Sequence, residues 1–480
     1  MATDFLHGVE VVTVEGGPRP IQTIRSAIIG LIGTAPDADA AKFPLNKPVL
    51  VTSRGGYAGI GATGTLAKAL AGIYEQFSPF VVVIRVDEGL DDEATMANVI
   101  GGVDVVSGAR TGVQAFRDAQ TETGVSPMIL IAPGFTSVRP VGLASVTVTA
   151  QGAGYTAAPT VTITGGGNDA AKVLPTAEAV LGTGANAGKV TSINILTHGS
   201  HLTDTLVVDI EPAAGDTTGA GATATAVVDN YKNPVAAALE SLAAGLRAHC
   251  IVTATNTTDA DAIQYREDFG SRRVYILDPF VKVFDTAAAD YVSEDAAARV
   301  AGLIARIDAE QGFWKSPSNE EIYGVGGLDR AIDYALGDPN TRANLLNENE
   351  IATIVRDDGW RLWGNRTASS DPMFAFLCVS RTADMIDLSI QRAHRWACDK
   401  GITRGYLDDV TSAVNGYLRY LTALGAILGG RCYVDPDLNP VNEIQAGHVT
   451  FSYEFTPTYP AERVTFRSSI TSEFVAALFA

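Results

Sequence analysis

Six short apolar runs, at residues 27–32, 49–52, 80–86, 128–131, 251–253 and 274–277, constrain this chain most. Several are bounded by helical patterns. The clearest of these starts at Asn233-Pro234, an N-cap followed by a first-turn proline, and continues with Val235, Leu239, Leu242 and Leu246 at helical spacing. Strands that alternate with helices in this way predict a mostly parallel sheet with helices on its faces.

The same region carries Gly59-Ile-Gly61-Ala-Thr-Gly64, with a strand before it, a helix after it, and Asp87 lying 23 residues beyond Gly64. A dinucleotide fingerprint has this spacing, but its first glycine must sit in the tight turn directly after the strand, so that the helix N-terminus meets the pyrophosphate. Here the strand ends near Thr52 and six residues, 53–58, intervene. The loop therefore reads as a glycine-rich lead into a helix. Nucleotide binding through Gly59 to Gly64 stays as an alternative that rests on this loop alone. Thr65 stands where a phosphate-binding P-loop needs lysine.

Residues 137–232 differ from their surroundings: they are rich in Thr, Ala, Gly and Val and poor in Lys, Arg and aromatics. They also repeat. At an offset of 47, Ser145-Val-Thr-Val matches Ser192-Ile-Asn-Ile, Gly152 matches Gly199, and Val161 and Ile163 match Val208 and Ile210. Each unit reads as short strands with glycine turns, hence a small all-β insertion with an internal duplication. His198 and His201 form an HxxH here, but no cysteine accompanies them. Zinc sites need further ligands, so the pair reads as exposed loop histidines.

From Ser293, a candidate cap, the pattern turns helical through Val300, Ile304 and Ile307, and the acidic residues near it suit a helix N-terminus without an acid–base pair. Residues 410–428 read as a long helix, 449–455 and 464–470 as alternating strands, and the last residues as a short apolar helix capped by Thr471 or Ser472. A formal net charge of −19 argues against a duplex-DNA binder, which needs a basic footprint. The four cysteines form no CxxC and read as buried thiols. No basic-then-apolar leader opens the chain and no apolar run approaches membrane-spanning length, so direct membrane insertion is not expected.

Residues 358–386 are dense in shape-fixing residues: Trp360, Trp363, Gly359, Gly364, Pro372, Arg361, Arg366 and Arg381. They hold no nucleophile–base pair and read as structural core. DGWRLWGNRT at 358–367 and SRTADMI at 380–386 also resemble the signature of contractile phage tail sheath proteins. The resemblance continues through GFW at 312–314, SPSN at 316–319, GAILGG at 425–430, VDPDLN at 434–439, YPAERVTFR at 459–467 and FLHGVE at 5–10. It covers most of the chain outside the middle segment, with its motifs in family order.

The resemblance implies an α+β, multidomain chain. Its parts are an N-terminal arm (1–20), an α/β sheath body (21–136 and 233–350), the inserted β-rich domain (137–232), a C-terminal mixed α/β sheath core domain (351–461) and a C-terminal arm (462–480). It implies a structural subunit without catalytic residues, metal or cofactor, which polymerises with itself as stacked hexameric rings around a tail tube and contracts. The implied partners are further copies of the chain, the tail tube protein, and baseplate and tail terminator proteins; nucleic acid is not among them. The implied place is the virion, after assembly in the host bacterial cytoplasm. A phage-tail-like bacteriocin or a secretion apparatus would use the same kind of sheath.

Two sets of site residues follow. The arms carry apolar or β-patterned residues at chain ends, where chain is usually polar: Phe5, Val9, Val11 and Val12, and Val464, Phe466, Ile470, Phe474 and Phe479. They are expected to join neighbouring subunits by strand addition. Arg381, Arg392, Arg395, Lys400 and Arg404 make a locally basic stretch in an acidic chain and are expected to face the tube, with pairing inside the subunit as the alternative.

Overall fold

The computed structural model describes residues 20–286, 288–472 and 474. Two compact units emerge, one formed by residues 27–306 and 318–372, the other by residues up to 26, 307–317 and 373 onward.

The first unit is built on an eight-stranded sheet. Its strands are β1 (Ile28–Thr34), β2 (Pro48–Val51), β3 (Phe80–Val86), β4 (Ile129–Ile131), β5 (His249–Thr253), β6 (Val274–Leu277), β7 (Ile351–Arg356) and β8 (Trp360–Trp363). They lie in the order β8-β7-β6-β5-β4-β1-β3-β2. The six inner strands run parallel, and the edge strands β2 and β8 pair antiparallel to their neighbours. All six apolar runs become strands of this sheet. They are continuous rather than alternating because helices cover both faces, and every residue of β1, β4, β5 and β6 is buried. On one face Ile32, Val82, Leu130 and Val252 pack with Leu239, Leu242 and Tyr265 from the helices Pro234–Leu246 and Asp259–Glu267.

Asn233 caps its helix as its sequence position predicts, accepting from Ala236 N at 2.8 Å. Its amide also donates to the carbonyls of Phe135 and Val138. Ser293, by contrast, is not a cap. It lies in the strand Asp290–Glu294, and Asp295 accepts from Ala297 N at 2.8 Å where the helix Ala297–Glu310 begins.

The boundary expected between residues 350 and 351 falls elsewhere. β7 and β8 complete the body sheet, and the first unit continues to Pro372. The stretch 358–386 therefore straddles the two units. Trp360 and Trp363 are half-buried on an edge strand, Trp363 against Tyr334 at 4.9 Å.

Residues 137–232 form six strands that pair as three antiparallel ribbons: Val141–Ala153 with Ala220–Asn230, Thr160–Gly165 with Leu206–Glu211, and Thr176–Leu181 with Val190–Thr197. Two small apolar clusters fill them, one around Tyr155 and Val190, the other around Leu143 and Leu202. His198 is not a free loop histidine. It stacks on Tyr231 at 3.9 Å, and its Nδ1 lies 2.7 Å from the Leu143 carbonyl.

The second unit contains the helices Leu377–Ala393 and Arg404–Ala423 and an antiparallel hairpin, Ile427–Tyr433 with Ser452–Pro457. The helix expected over 410–428 stops earlier, because Gly425 adopts φ +76° and turns the chain into the hairpin. Asn415 then holds Cys432 at both backbone groups, at 2.9 and 2.8 Å. Residues 20–26 belong to this unit, with Thr23 bonded to Tyr417 and Ile24 N to Ser389. Cys250, Cys378 and Cys432 are buried, but Cys398 is exposed, since it lies between the two helices rather than inside either.

Candidate functional site

The glycine loop is closed from within. The Asp37 carboxylate accepts from Ala62 N at 2.8 Å, from Thr63 N at 3.1 Å and from the Thr63 hydroxyl at 2.5 Å. These bonds, the one to Ala62 first, hold its pKa down to about 2. A Cβ on Gly61 would lie 2.2 Å from that carboxylate, so glycine is needed for the close approach. The donors that a phosphate would use are therefore occupied by Asp37. The loop also follows the antiparallel edge strand β2 and not a parallel strand.

A cleft of about 250 Å³ lies beyond the C-terminal ends of the neighbouring strands β1 and β4, lined in part by Thr65, Lys68, Gly134, Glu294, Asp295 and Arg299. Doubly wound sheets hold ligands outside such strand ends. In this chain the polar groups mostly serve each other. Asp295 accepts from Gly134 N, Ala297 N and the Thr253 hydroxyl, and burial pushes its carboxyl up. Arg299 pairs with Glu75 at 3.0 Å and Glu294 at 3.5 Å. The hydroxyl of Thr253 donates to a carboxylate that also caps a helix, which is an orienting contact and not a nucleophile–base pair. Among the described residues no group of three or more His, Cys, Asp or Glu is arranged to hold a metal ion.

The basic stretch divides in two. Arg381 is 5% exposed, and its guanidinium grips Asp308 with two bonds and reaches the Ser26 carbonyl. It is a structural ion pair inside its unit and does not face a partner, because a buried guanidinium so placed has no surface to offer. Arg392, Arg395, Lys400 and Arg404 are exposed. Arg404 has only a loose neighbour, Asp408 at 4.0 Å. Of the acidic residues nearby, Asp384 is buried and Asp387 accepts from the Tyr453 hydroxyl at 2.6 Å, while Asp399, Asp408 and Asp409 are exposed beside the four cations, so the surface here is of mixed charge. A row of rings, His394, Trp396, Tyr406 and Phe451, with centroids 6.2–6.4 Å apart, supports the connection between the two helices.

The C-terminal segment presents apolar side chains on irregular backbone. No strand forms over 464–470, where the alternation predicted one. Phe466 is 91% and Ile470 106% exposed, and Val464 and Phe474 are exposed as well. An alternating pattern makes a strand only when a neighbouring strand supplies the ladder. Just upstream, the two-stranded hairpin has no third strand among the described residues. Phe5, Val9, Val11, Val12 and Phe479 lie outside the described residues, as does most of the expected tail helix.

The sequence and the fold recur in known proteins. The description "Phage tail sheath protein central domain" fits residues 224–368, and "Phage tail sheath C-terminal domain" fits residues 369–471. The tail sheath protein of Escherichia phage P2 is 31% identical over 484 residues, covering 99% of this chain and 98% of its own. That of Burkholderia phage BcepMu is 33% identical over 505 residues, covering 100% and 99%. The chain belongs to the phage tail sheath protein family.

Solved structures agree at the level of the fold. The helical sheath of the anti-feeding prophage in its contracted state matches with a TM-score of 0.59 at 16% identity, covering 96% of this sheath chain and 98% of that one. The contracted PVC sheath complex of an extracellular contractile injection system matches with a TM-score of 0.57 at 12% identity, covering 98% and 99%. The family's own division at 368/369 lies close to the end of the first unit at Pro372. Three residues that organise this sheath chain, Asp37, Asp308 and Asn415, carry no local sequence signal. Each acts on a partner distant in the chain, and nothing at its own position announces the partner.

Proposed function

We propose that the chain is the structural subunit of a contractile tail sheath. It polymerises with itself as hexameric rings stacked around a tail tube and shortens by rigid-body rotation of subunits, driving the tube through the host envelope. Its place is the virion, after assembly in the bacterial cytoplasm, with baseplate and terminator proteins at the ends of the stack. The exposed apolar segment from Val464 to Phe474, beside a hairpin with open edges, carries this reading. A neighbour's hairpin can take the segment as an added strand, which satisfies its backbone and buries Phe466 and Ile470. The N-terminal residues Phe5, Val9, Val11 and Val12 act as the second arm. Both arms are tethers that persist while the bodies they join rotate.

The exposed cations Arg392, Arg395, Lys400 and Arg404 face the tube in this reading, where charge complementarity sets register. Deleting residues 459–480 tests the proposal. The shortened chain should be a folded monomer by sedimentation and form no tubes by negative-stain microscopy. The full-length variant Phe466→Ser/Ile470→Ser should behave the same way. Normal tubes from both would overturn the arm as the polymerising element.

A further inference from the structure

The six strands of residues 141–230 pair with an internal symmetry. Their two halves are Val141–Ala153, Thr160–Gly165 and Thr176–Leu181, then Val190–Thr197, Leu206–Glu211 and Ala220–Asn230. Every ladder joins one half to the other: first strand to sixth, second to fifth, third to fourth. No strand pairs within its own half among the described residues.

The register obeys a symmetry. Shifting first-half residues by +47 and second-half residues by −47 turns the pair Ala177↔Ile195 into Ala224↔Val148, and Val180↔Ser192 into Val227↔Ser145. Both pairs are present. Thr176↔Thr197 becomes Thr223↔Ala150, and Leu181↔Val190 becomes Val228↔Leu143, which are present too. The irregularities also coincide: Thr176/Ala177 and Val180/Leu181 in one ribbon, Thr223/Ala224 and Val227/Val228 in the other. In the middle ribbon Thr162↔Asp209 maps onto itself, which places a pseudo-twofold axis there.

Core and backbone follow the same rule. Tyr155, Ala179, Val190 and Ile210 line one apolar cluster, and their counterparts Leu202, Ala226, Leu143 and Ile163 line the other. Gly152 and Gly199 have φ +61° and +68°, and Gly154 and His201 have +79° and +52°. The left-handed conformation of His201 is thus that of a glycine position in the other half. A bias toward Thr and Val produces alternation, but it does not place bulges, left-handed residues and core members at one common offset.

We infer that residues 141–230 are a fused homodimer: one strand unit, duplicated, with a self-complementary surface whose occupant is a second copy of the same unit. A lone unit has its backbone groups unpaired and only half of each core, so it cannot close by itself.

Unit replacement in the full chain tests this. In one variant the sequence of residues 141–183 replaces residues 188–230; in the other the replacement is reversed. At least one should keep its insert strands protected from hydrogen exchange to the level of the parent, with the body strands of the same chain as reference. Loss of that protection in both variants would overturn the inference, since the two units would then not be interchangeable in one geometry.

Discussion

At the scale of single residues, two carboxylates act as internal counter-groups and have different signatures. Asp308 and Arg381 form a buried pair. Removing one partner of such a pair leaves an uncompensated charge and costs about 3–5 kcal/mol, whereas replacing both with apolar residues is often neutral. Arg381→Met should therefore lower stability to chemical denaturation by about that amount, and adding Asp308→Leu should restore most of it. Asp37 is solvent-exposed, and its pKa is depressed to about 2 by the bonds from Ala62 and Thr63. A depressed carboxylate contributes stability above its unfolded pKa, about 4, and loses it as pH falls through the folded value. Asp37→Ala should thus lower the melting temperature at pH 7, and the gap from the parent should close between about pH 4 and pH 2. A gap unchanged at low pH would show that the loop is held by something else.

At the scale of elements, the same alternation of apolar and polar residues had two outcomes in this chain. Residues 452–457 became a strand because 427–433 lies beside them, and residues 464–470 did not, since no strand among the described residues pairs with them. A polar substitution on the free segment should consequently leave monomer stability within about 0.5 kcal/mol, since it removes no intrasubunit packing. The exposed cations at the connection between the helices make a separate prediction. Arg392→Glu/Arg395→Glu should leave the melting temperature of the subunit near that of the parent and weaken co-assembly with tube protein, measured by co-sedimentation. Co-sedimentation with tube protein equal to the parent's would overturn the proposed tube-facing role of these cations.

At the scale of the whole molecule, the ends of the β-rich segment meet. Tyr231 N donates to the Pro140 carbonyl at 2.9 Å, and on either side Arg139 pairs with Asp268 and Lys232 with Glu240. A short link can bridge those ends while the anchoring pairs stay in place. Replacing residues 141–230 with a Gly/Ser linker should leave a soluble chain that still builds tubes, seen by microscopy. Insolubility would mean that the body depends on the segment for its fold.

Most of the parallel sheet was legible in the sequence, because strands buried on both faces are largely apolar: five of the six runs at 27–277 became parallel strands, and the run at 49–52 became the antiparallel edge. The sequence by itself also determined the family, because motifs such as DGWRLWGNRT and YPAERVTFR are local strings, and it carried the 47-residue offset in plain view. The end of the first unit became visible with the fold, since β7 and β8 join a sheet whose other strands are separated from them by 73 residues or more. The tertiary structure alone separated Arg381 from Arg392, Arg395, Lys400 and Arg404, because burial and the Asp308 carboxylate are properties of long-range contact. It alone closed the GxGxxG loop, because the group that fills it, Asp37, comes from the end of another strand. A linear pattern records what each residue can do; what it does depends on which neighbours folding brings within a few ångströms.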